Sequence, residues 1–290
     1  PEGADHDAAR AQFEAALETD AALEEAAEGL AQLLAASGRY EEAVAVYGRA
    51  LEMDRGYVPF RVGRGDVRTS WGTFKGGRGE DPGPLFADAI ADYGKALELN
   101  PAYVEAWVDR GAVRVNLGGF KHARGEDPGP LFADAIADLD EALKRNPTIA
   151  EAWRCRGHVR NNWGNYRSNR GEDPEPLYRD AIADFGRALE LNPANADAWL
   201  GRGGARTNCG NFKRSRGQDP EPLYRDAIAD FGKALALNPG NAEAWLWRGG
   251  VRRNWGDCLE DRGQDPGPEY AEAIADYAKA LALNPASAQA

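Results

Sequence analysis

Cysteine, methionine and histidine are scarce in this chain of 290 residues, which has three, one and three of them. Cys155, Cys209 and Cys258 fall at unrelated places, and an odd number without a repeating spacing is neither a disulfide framework nor a zinc ligand set. They read instead as thiols packed like small apolar groups, in a reducing, cytoplasmic setting. His6, His122 and His158 make no pair at helical spacing, so no metal or cofactor is expected. There is no long apolar run and mean hydropathy is −0.60, which excludes a membrane-spanning helix. No leader-like segment is read at the start. An excess of basic residues is missing too: net charge is −12 and pI near 4.9, which argues against nucleic acid and anionic membrane as partners. Also absent are a nucleophile–base set and a glycine-rich phosphate loop, so no catalysis is expected.

What the chain has is repetition. WLGRGGAR at 199–206 recurs as WVDRGAVR at 107–114, WRCRGHVR at 153–160 and WLWRGGVR at 245–252, and RVGRGDVR at 61–68 is a version without the tryptophan. Trp107, Trp153, Trp199 and Trp245 follow one another at 46 residues. A fixed period of this size means stacked supersecondary units, each touching only its neighbours. The divisions are a half-repeat or capping helix over 1–22, a short repeat over 23–57, long repeats over 58–103, 104–149, 150–195, 196–241 and 242–286, and the start of a further helix at 287–290.

In the short repeat, Gly38, Tyr40, Ala43, Tyr47 and Ala50 stand at helix–turn–helix spacing. Ala181, Phe185, Ala188 and Pro193 mark the second helix of one long repeat, and Ala227, Phe231, Ala234 and Pro239 that of the next. This pattern resembles the tetratricopeptide repeat, a helical hairpin of about 34 residues with A-x3-F and a late proline in its second helix. The resemblance implies an all-α fold: an α-solenoid of stacked antiparallel helical hairpins forming a right-handed superhelix. It also implies a scaffold that binds a peptide or helix of a partner protein in a concave groove.

Two departures from the family pattern stand out. The period exceeds the family's by about 12 residues, placed between the two helices and read as a long loop plus extra turns at the start of the second helix. Asp173 is expected as an N-cap with Pro174 first in the helix and Gly171 turning the chain before them. Leu177, Ala181, Phe185, Ala188 and Leu189 would then form one helical face. The second departure is a pair of arginines, i and i+4, in every first helix (Arg202/Arg206 in one repeat). Acid pairs such as Asp226/Asp230 keep the same rhythm in the second helices. The arginines are either an internal ion-pair network or a groove that holds carboxylates and phosphates.

Asn116, Asn162, Asn208 and Asn254 lie two residues before a glycine, which suits a helix C-terminus; the alternative is a polar ladder gripping a peptide backbone. Comparison of the repeats shows first-helix slots that change chemistry each time. From them and the asparagines, the partner-binding candidates are Asp66, Asp109, Arg154, His158, Asn161, Asn162, Asn208, Trp247, Arg253 and Asn254. The other functional expectation is self-assembly: the last repeat leaves a face around Tyr277 and Leu281 through which copies could stack head to tail. Alternatively, the array is a regulatory segment of a larger multidomain protein.

Overall fold

The computed structural model describes residues 23–285, together with Ala11 and Ala15. Among these residues are twelve helices and no strand: α1 (Leu23–Ala36), α2 (Tyr40–Met53), α3 (Val58–Gly77), α4 (Gly83–Leu99), α5 (Val104–Ala123), α6 (Gly129–Arg145), α7 (Ala150–Asn169), α8 (Glu175–Leu191), α9 (Ala196–Ser215), α10 (Glu221–Leu237), α11 (Ala242–Asp261) and α12 (Gly267–Leu283). The half-repeat or capping helix expected over 1–22 lies outside the described residues apart from Ala11 and Ala15, which are helical, and so does the segment 287–290. The chain divides into two compact units, Pro1–Asn146 and Pro147–Ala290. Within each unit every helix packs on the next, and α1 also touches α3, α3 touches α5, α7 touches α9 and α9 touches α11. Each unit is thus an α-solenoid of stacked helical hairpins.

The R-G-[E/Q]-D-P stretch makes the turn inside each long hairpin. Gly79, Gly125, Gly171, Gly217 and Gly263 have φ between 68° and 77°, a left-handed conformation that costs glycine nothing. In the first of these turns, Gly79 N donates to Gly76 O and Glu80 N to Lys75 O, both at 3.0 Å. These two bonds close the end of the helix and satisfy carbonyls that would otherwise be orphaned. The aspartate then starts the next helix: Asp173 Oδ1 accepts from Glu175 N at 2.9 Å. The helix itself runs from Glu175, with Pro174 at the cap position, one residue later than the sequence expectation.

Two expectations need correction. The α1–α2 hairpin has helices of 14 residues each, whereas α9 and α10 have 20 and 17. The first helix is therefore six residues longer and the second three, and the connection is a tight turn of five residues rather than a long loop. The asparagines do not end the first helix either; α7, for example, continues past Asn162 and Gly164 to Asn169. Gly164 is there for close approach. A Cβ on it would sit 2.6 Å from Tyr178 Cε1, and one on Gly210 2.7 Å from Tyr224 Cε1. These rings seat the start of the second helix on the prolonged first helix, and Tyr178 joins the expected buried face ahead of Leu177.

The helices of a hairpin run antiparallel. Seven residues along α9, from Gly203 to Gly210, the contact moves seven residues back along α10, from Phe231 to Tyr224. This register sets an aspartate of the second helix between the two arginines of the first. Arg202 grips Asp230 with two parallel bonds, Nε to Oδ2 at 3.0 Å and Nη2 to Oδ1 at 2.7 Å. Arg206 Nη1 donates to the same Oδ2 at 2.5 Å. The same trio forms in all five long hairpins, on Asp92, Asp138, Asp184, Asp230 and Asp276. Each of these aspartates is at most 3 % exposed. In four hairpins the gripping arginine also lies over a tryptophan, as Arg202 over Trp199 at 4.7 Å. That indole donates to Pro193 O at 2.9 Å. The arginines are therefore internal, and the anion-binding alternative for them is overturned.

Adjacent glycines in α5 separate the two roles of glycine. A Cβ on Gly118 would meet Phe132 at 2.7 Å, while one on Gly119 meets nothing within 4 Å. Gly118→Ala is expected to destabilise by about 1–3 kcal/mol through overpacking. Gly119→Ala is expected to stabilise by about 0.5–1 kcal/mol through helix propensity. Urea denaturation of both variants checks the pair, and equal effects would contradict this reading of the hairpin contact.

Candidate functional site

With one face of each first helix committed to its hairpin partner, the opposite face is left to its neighbours and to solvent. In the second unit α7, α9 and α11 together line a cleft of about 770 Å³, within the range of ligand pockets. Because the helices repeat at 46 residues, each brings the same turns to the cleft with different chemistry. One slot holds Arg154, Leu200 and Leu246; another holds His158, Gly204 and Gly250; a third holds Asn161, Thr207 and Arg253.

Eight of the ten residues expected to bind a partner line this cleft: Arg154, His158, Asn161, Asn162, Asn208, Trp247, Arg253 and Asn254. The other two lie in the first unit. Asp66 lines a separate cleft there, and Asp109 is not among that cleft's lining residues. The reading of the sequence missed Asp197, Glu243, Phe231 and Tyr277 as cleft residues; all four line the cleft of the second unit. The two acids occupy equivalent first-turn positions in α9 and α11, so comparison for variable slots passed over them. Phe231 and Tyr277 follow the core stripe of the second helices, and nothing in that stripe marks a residue that also shows through between small neighbours. Here Gly203 and Gly249 provide the gap.

The polar groups are arranged by one another. Arg154 Nε donates to Glu151 Oε2 at 2.8 Å, which fixes the guanidinium at one wall. Asn208 Nδ2 donates to Asn161 Oδ1 at 3.0 Å across neighbouring helices. Asn254 Nδ2 donates to Asn211 Oδ1 at 3.1 Å, and that oxygen also accepts from the Tyr224 hydroxyl at 2.8 Å. The asparagines therefore link first helix to first helix, leaving part of their amide capacity toward the cleft. Trp247 is 40 % exposed and meets Phe231 edge to face at 6.0 Å, and Leu246 beside it is equally open. One side of the cleft is thus polar and the other apolar and aromatic.

His158 sits edge-on to Phe185 at 4.8 Å. Burial, and then the neighbouring Arg154 charge, hold its imidazole down to about 4, against the opposing pull of Asp197 and Glu151. At neutral pH the ring is therefore uncharged, one nitrogen donating and the other accepting. Burial raises the thiols of Cys209 and Cys258 above their ordinary value, as befits packed, unreactive cysteines. Among the described residues no cluster of histidine, cysteine and acids has the makings of a metal site, and no helix is long and apolar enough to cross a membrane.

Comparisons with known proteins agree with this architecture. A family model described as tetratricopeptide repeat matches residues 2–58, 177–218 and 223–257, so repeats of this kind are identified in both units. No curated protein sequence matches the chain. The fold is similar to that of a tetratricopeptide repeat protein from Parabacteroides merdae, with a TM-score of 0.57 at 18% identity, covering 98% of this chain and 88% of that one. It is also similar to the C-terminal part of a TPR repeat-containing protein from Cytophaga hutchinsonii, with a TM-score of 0.56 at 15% identity over 98% and 92% of the two chains. A third structure, YrrB, described as a TPR protein with an unusual peptide-binding site, gives 0.50 at 17% identity over 82% and 92%.

The depressed His158 has a measurable consequence. Its folded value lies below its ordinary 6.5, so as pH falls the unfolded chain takes up the proton first and stability is lost between about 6.5 and 4. An NMR titration is expected to place the His158 midpoint near 4. The His158→Gln variant is expected to lose less stability than the parent over that interval. A midpoint near 6.5 would show an imidazole in open solvent.

Proposed function

We propose that the chain is a protein-interaction scaffold whose second-unit cleft receives an extended peptide or a helix of a partner protein, with no catalysis of its own. One observation carries this reading: in the second unit, first-helix slots that change chemistry from repeat to repeat come together on one cleft. Matched repeats over 177–218 and 223–257, which take in all of α9 and α11 as far as residue 257, support it. So does the likeness in fold to a protein described as having a peptide-binding site. The five long hairpins are read as lengthened versions of the family's repeat, and the three buried free cysteines fit a reducing, cytoplasmic setting.

The lining suggests what kind of peptide fits. An apolar or aromatic side chain would lie against Leu246, Trp247 and Phe231, while Arg154 and Arg253 attract an acidic group and the asparagines hydrogen-bond to peptide backbone. Trp247 is the anchor, since an exposed indole in a concave wall is the kind of residue on which binding energy concentrates.

A second reading, stacking of copies, draws on α12. Leu281 is 42 % exposed, whereas Leu235 at the equivalent place in α10 is 5 % exposed, and Ile274 is 68 % exposed.

Fluorescence polarisation with a library of short acidic–aromatic peptides tests the first reading. Trp247→Ala and Arg154→Ala are each expected to weaken the best binder about tenfold or more, corresponding to a hot-spot loss above about 1.4 kcal/mol, with the melting temperature almost unchanged. Binding unaltered in both variants would remove the cleft as the site. Light scattering on the same samples addresses stacking: a mass that rises with concentration supports it, and a constant mass removes it.

A further inference from the structure

The first unit holds a cleft of different character. α1, α2, α3 and Tyr103 enclose about 500 Å³, and its walls include Glu28, Tyr47, Phe60, Asp66 and Ser70. Among the described residues, no arginine, lysine or histidine lines it. Asp66 stands in the slot that holds Ala112, His158, Gly204 and Gly250 in the other long repeats, so it is not a member of the ladder of buried aspartates. Its carboxylate accepts a bond from the Tyr93 hydroxyl at 2.7 Å and has no cation partner among the described residues. Glu28 accepts from Gln32 Nε2 at 3.1 Å. Both carboxylates are exposed at the cleft, unlike the buried aspartates of the long hairpins, and neither has a cation partner among the described residues.

A second, independent observation comes from Tyr47. This ring is 5 % exposed, and its hydroxyl has no hydrogen-bond partner among the described residues. It reaches the cleft because position 63 is glycine; a Cβ there would lie 2.5 Å from the hydroxyl oxygen. Asp66 follows Gly63 by three residues and so lies on the same helix face. The hydroxyl is not among the buried unpartnered atoms, so it opens on the cleft with its donor and acceptor capacity available to a ligand atom. The electrostatics point the same way. Partial desolvation raises the Asp66 carboxyl, although the residue keeps an exposed edge. The Tyr103 phenol is raised by burial and by Glu105, Asp66, Asp109 and Glu28, so four carboxylates project negative potential onto this end of the cleft.

We propose that this cleft is a subsite for an alkyl-guanidinium or alkyl-ammonium group, presented as an arginine or lysine side chain of a peptide. The charged head would sit between Asp66 and Glu28 and donate to them, and to the Tyr47 hydroxyl where geometry allows. The stem would lie on the faces of Tyr47, Phe60 and Tyr103, which favour a cation over a neutral group of the same shape. An arginine gains more than a lysine, because its planar fork meets a carboxylate with two parallel bonds. The site does not depend on the function proposed for the second-unit cleft, whose residues take no part in it.

The test uses the full chain, labelled with 15N, and acetylated, amidated pentapeptides Gly-Ser-X-Ser-Gly in which X is Arg, Lys, Gln or Glu, with free agmatine as a separate arm. The Arg peptide is expected to shift amide signals of α1, α2 and α3 and to bind at least tenfold more tightly than the Gln peptide, with Lys between them. Asp66→Asn, which keeps an acceptor for Tyr93, is expected to weaken the Arg peptide at least fivefold. Glu28→Gln, a change on an exposed side chain, is expected to weaken it about threefold and serves where Asp66→Asn disturbs folding. Arg154→Ala is expected to leave it unchanged, which separates this site from the other cleft. Equal binding of the Arg, Gln and Glu peptides, or full affinity in both Asp66→Asn and Glu28→Gln, would overturn the proposal. Agmatine binding more tightly than the Arg peptide would overturn its peptide part.

Discussion

A buried carboxylate held by two guanidinium groups is the interaction on which this architecture depends. Its arithmetic is unusual for a helical hairpin, whose interior is ordinarily apolar. Removing two arginines and an aspartate from water costs several kcal/mol per ion, and only short, well-aligned bonds recover that cost. The hairpins meet this condition with a fork–fork pair from the first arginine and a further bond from the second. Burial is uneven, and that helps: the aspartates are nearly inaccessible while the arginines keep 13–20 % side-chain exposure. Their outer nitrogens reach water or the outer acid of the next turn, such as Asp226. Such a cluster is a poor source of net stability but a strict selector of register, because slipping one helix by a turn would strand all three charges.

Small residues let the cluster exist. Gly203 and Gly210 bring α9 close enough to α10 for rings to fill the space on either side of the ion pairs. Close packing on that face fixes the direction of the other one, and there the chain is free to vary. The same scaffold therefore carries a mixed polar and aromatic cleft in one unit and an acidic, tyrosine-walled cleft in the other, without altering its hairpins. Helix-to-helix bonds such as Asn208 to Asn161 then hold neighbouring repeats in step at the cleft wall.

Much of this was legible in the sequence because repetition separates what the scaffold needs from what it tolerates. The long hairpins start at the 46-residue spacing read from the sequence, the i, i+4 arginines and acids announced their pairing, and the changing slots together with the asparagines include eight residues that line one cleft. Other features stayed hidden for identifiable reasons. Asn-x-Gly near an assumed helix end looks like a stop signal, and only the position of Tyr178 shows that Gly164 serves contact instead. The length of the first helix was misjudged for the same reason. Phe231 and Tyr277 obey the core periodicity, and their second role at the cleft comes from glycines on another helix. Asp109 entered the candidate list by its slot alone, and the side chains around it put it beside Tyr93 and Tyr103 rather than in either cleft wall.

The central claim is that the arginines and the aspartate act as one buried unit. A double-mutant cycle between Arg202 and Asp230 measures this directly, from the unfolding free energies of the parent, Arg202→Ala, Asp230→Ala and the double variant. Asp230→Ala is expected to lose about 3–5 kcal/mol, because it leaves two guanidinium groups without a counterion. The double variant is expected to fall well short of the sum of the singles, giving a coupling energy of about 1.5–3 kcal/mol. Losses that add to within about 0.5 kcal/mol would mean that the two residues are independent, and the account of the hairpin built on their pairing would be wrong.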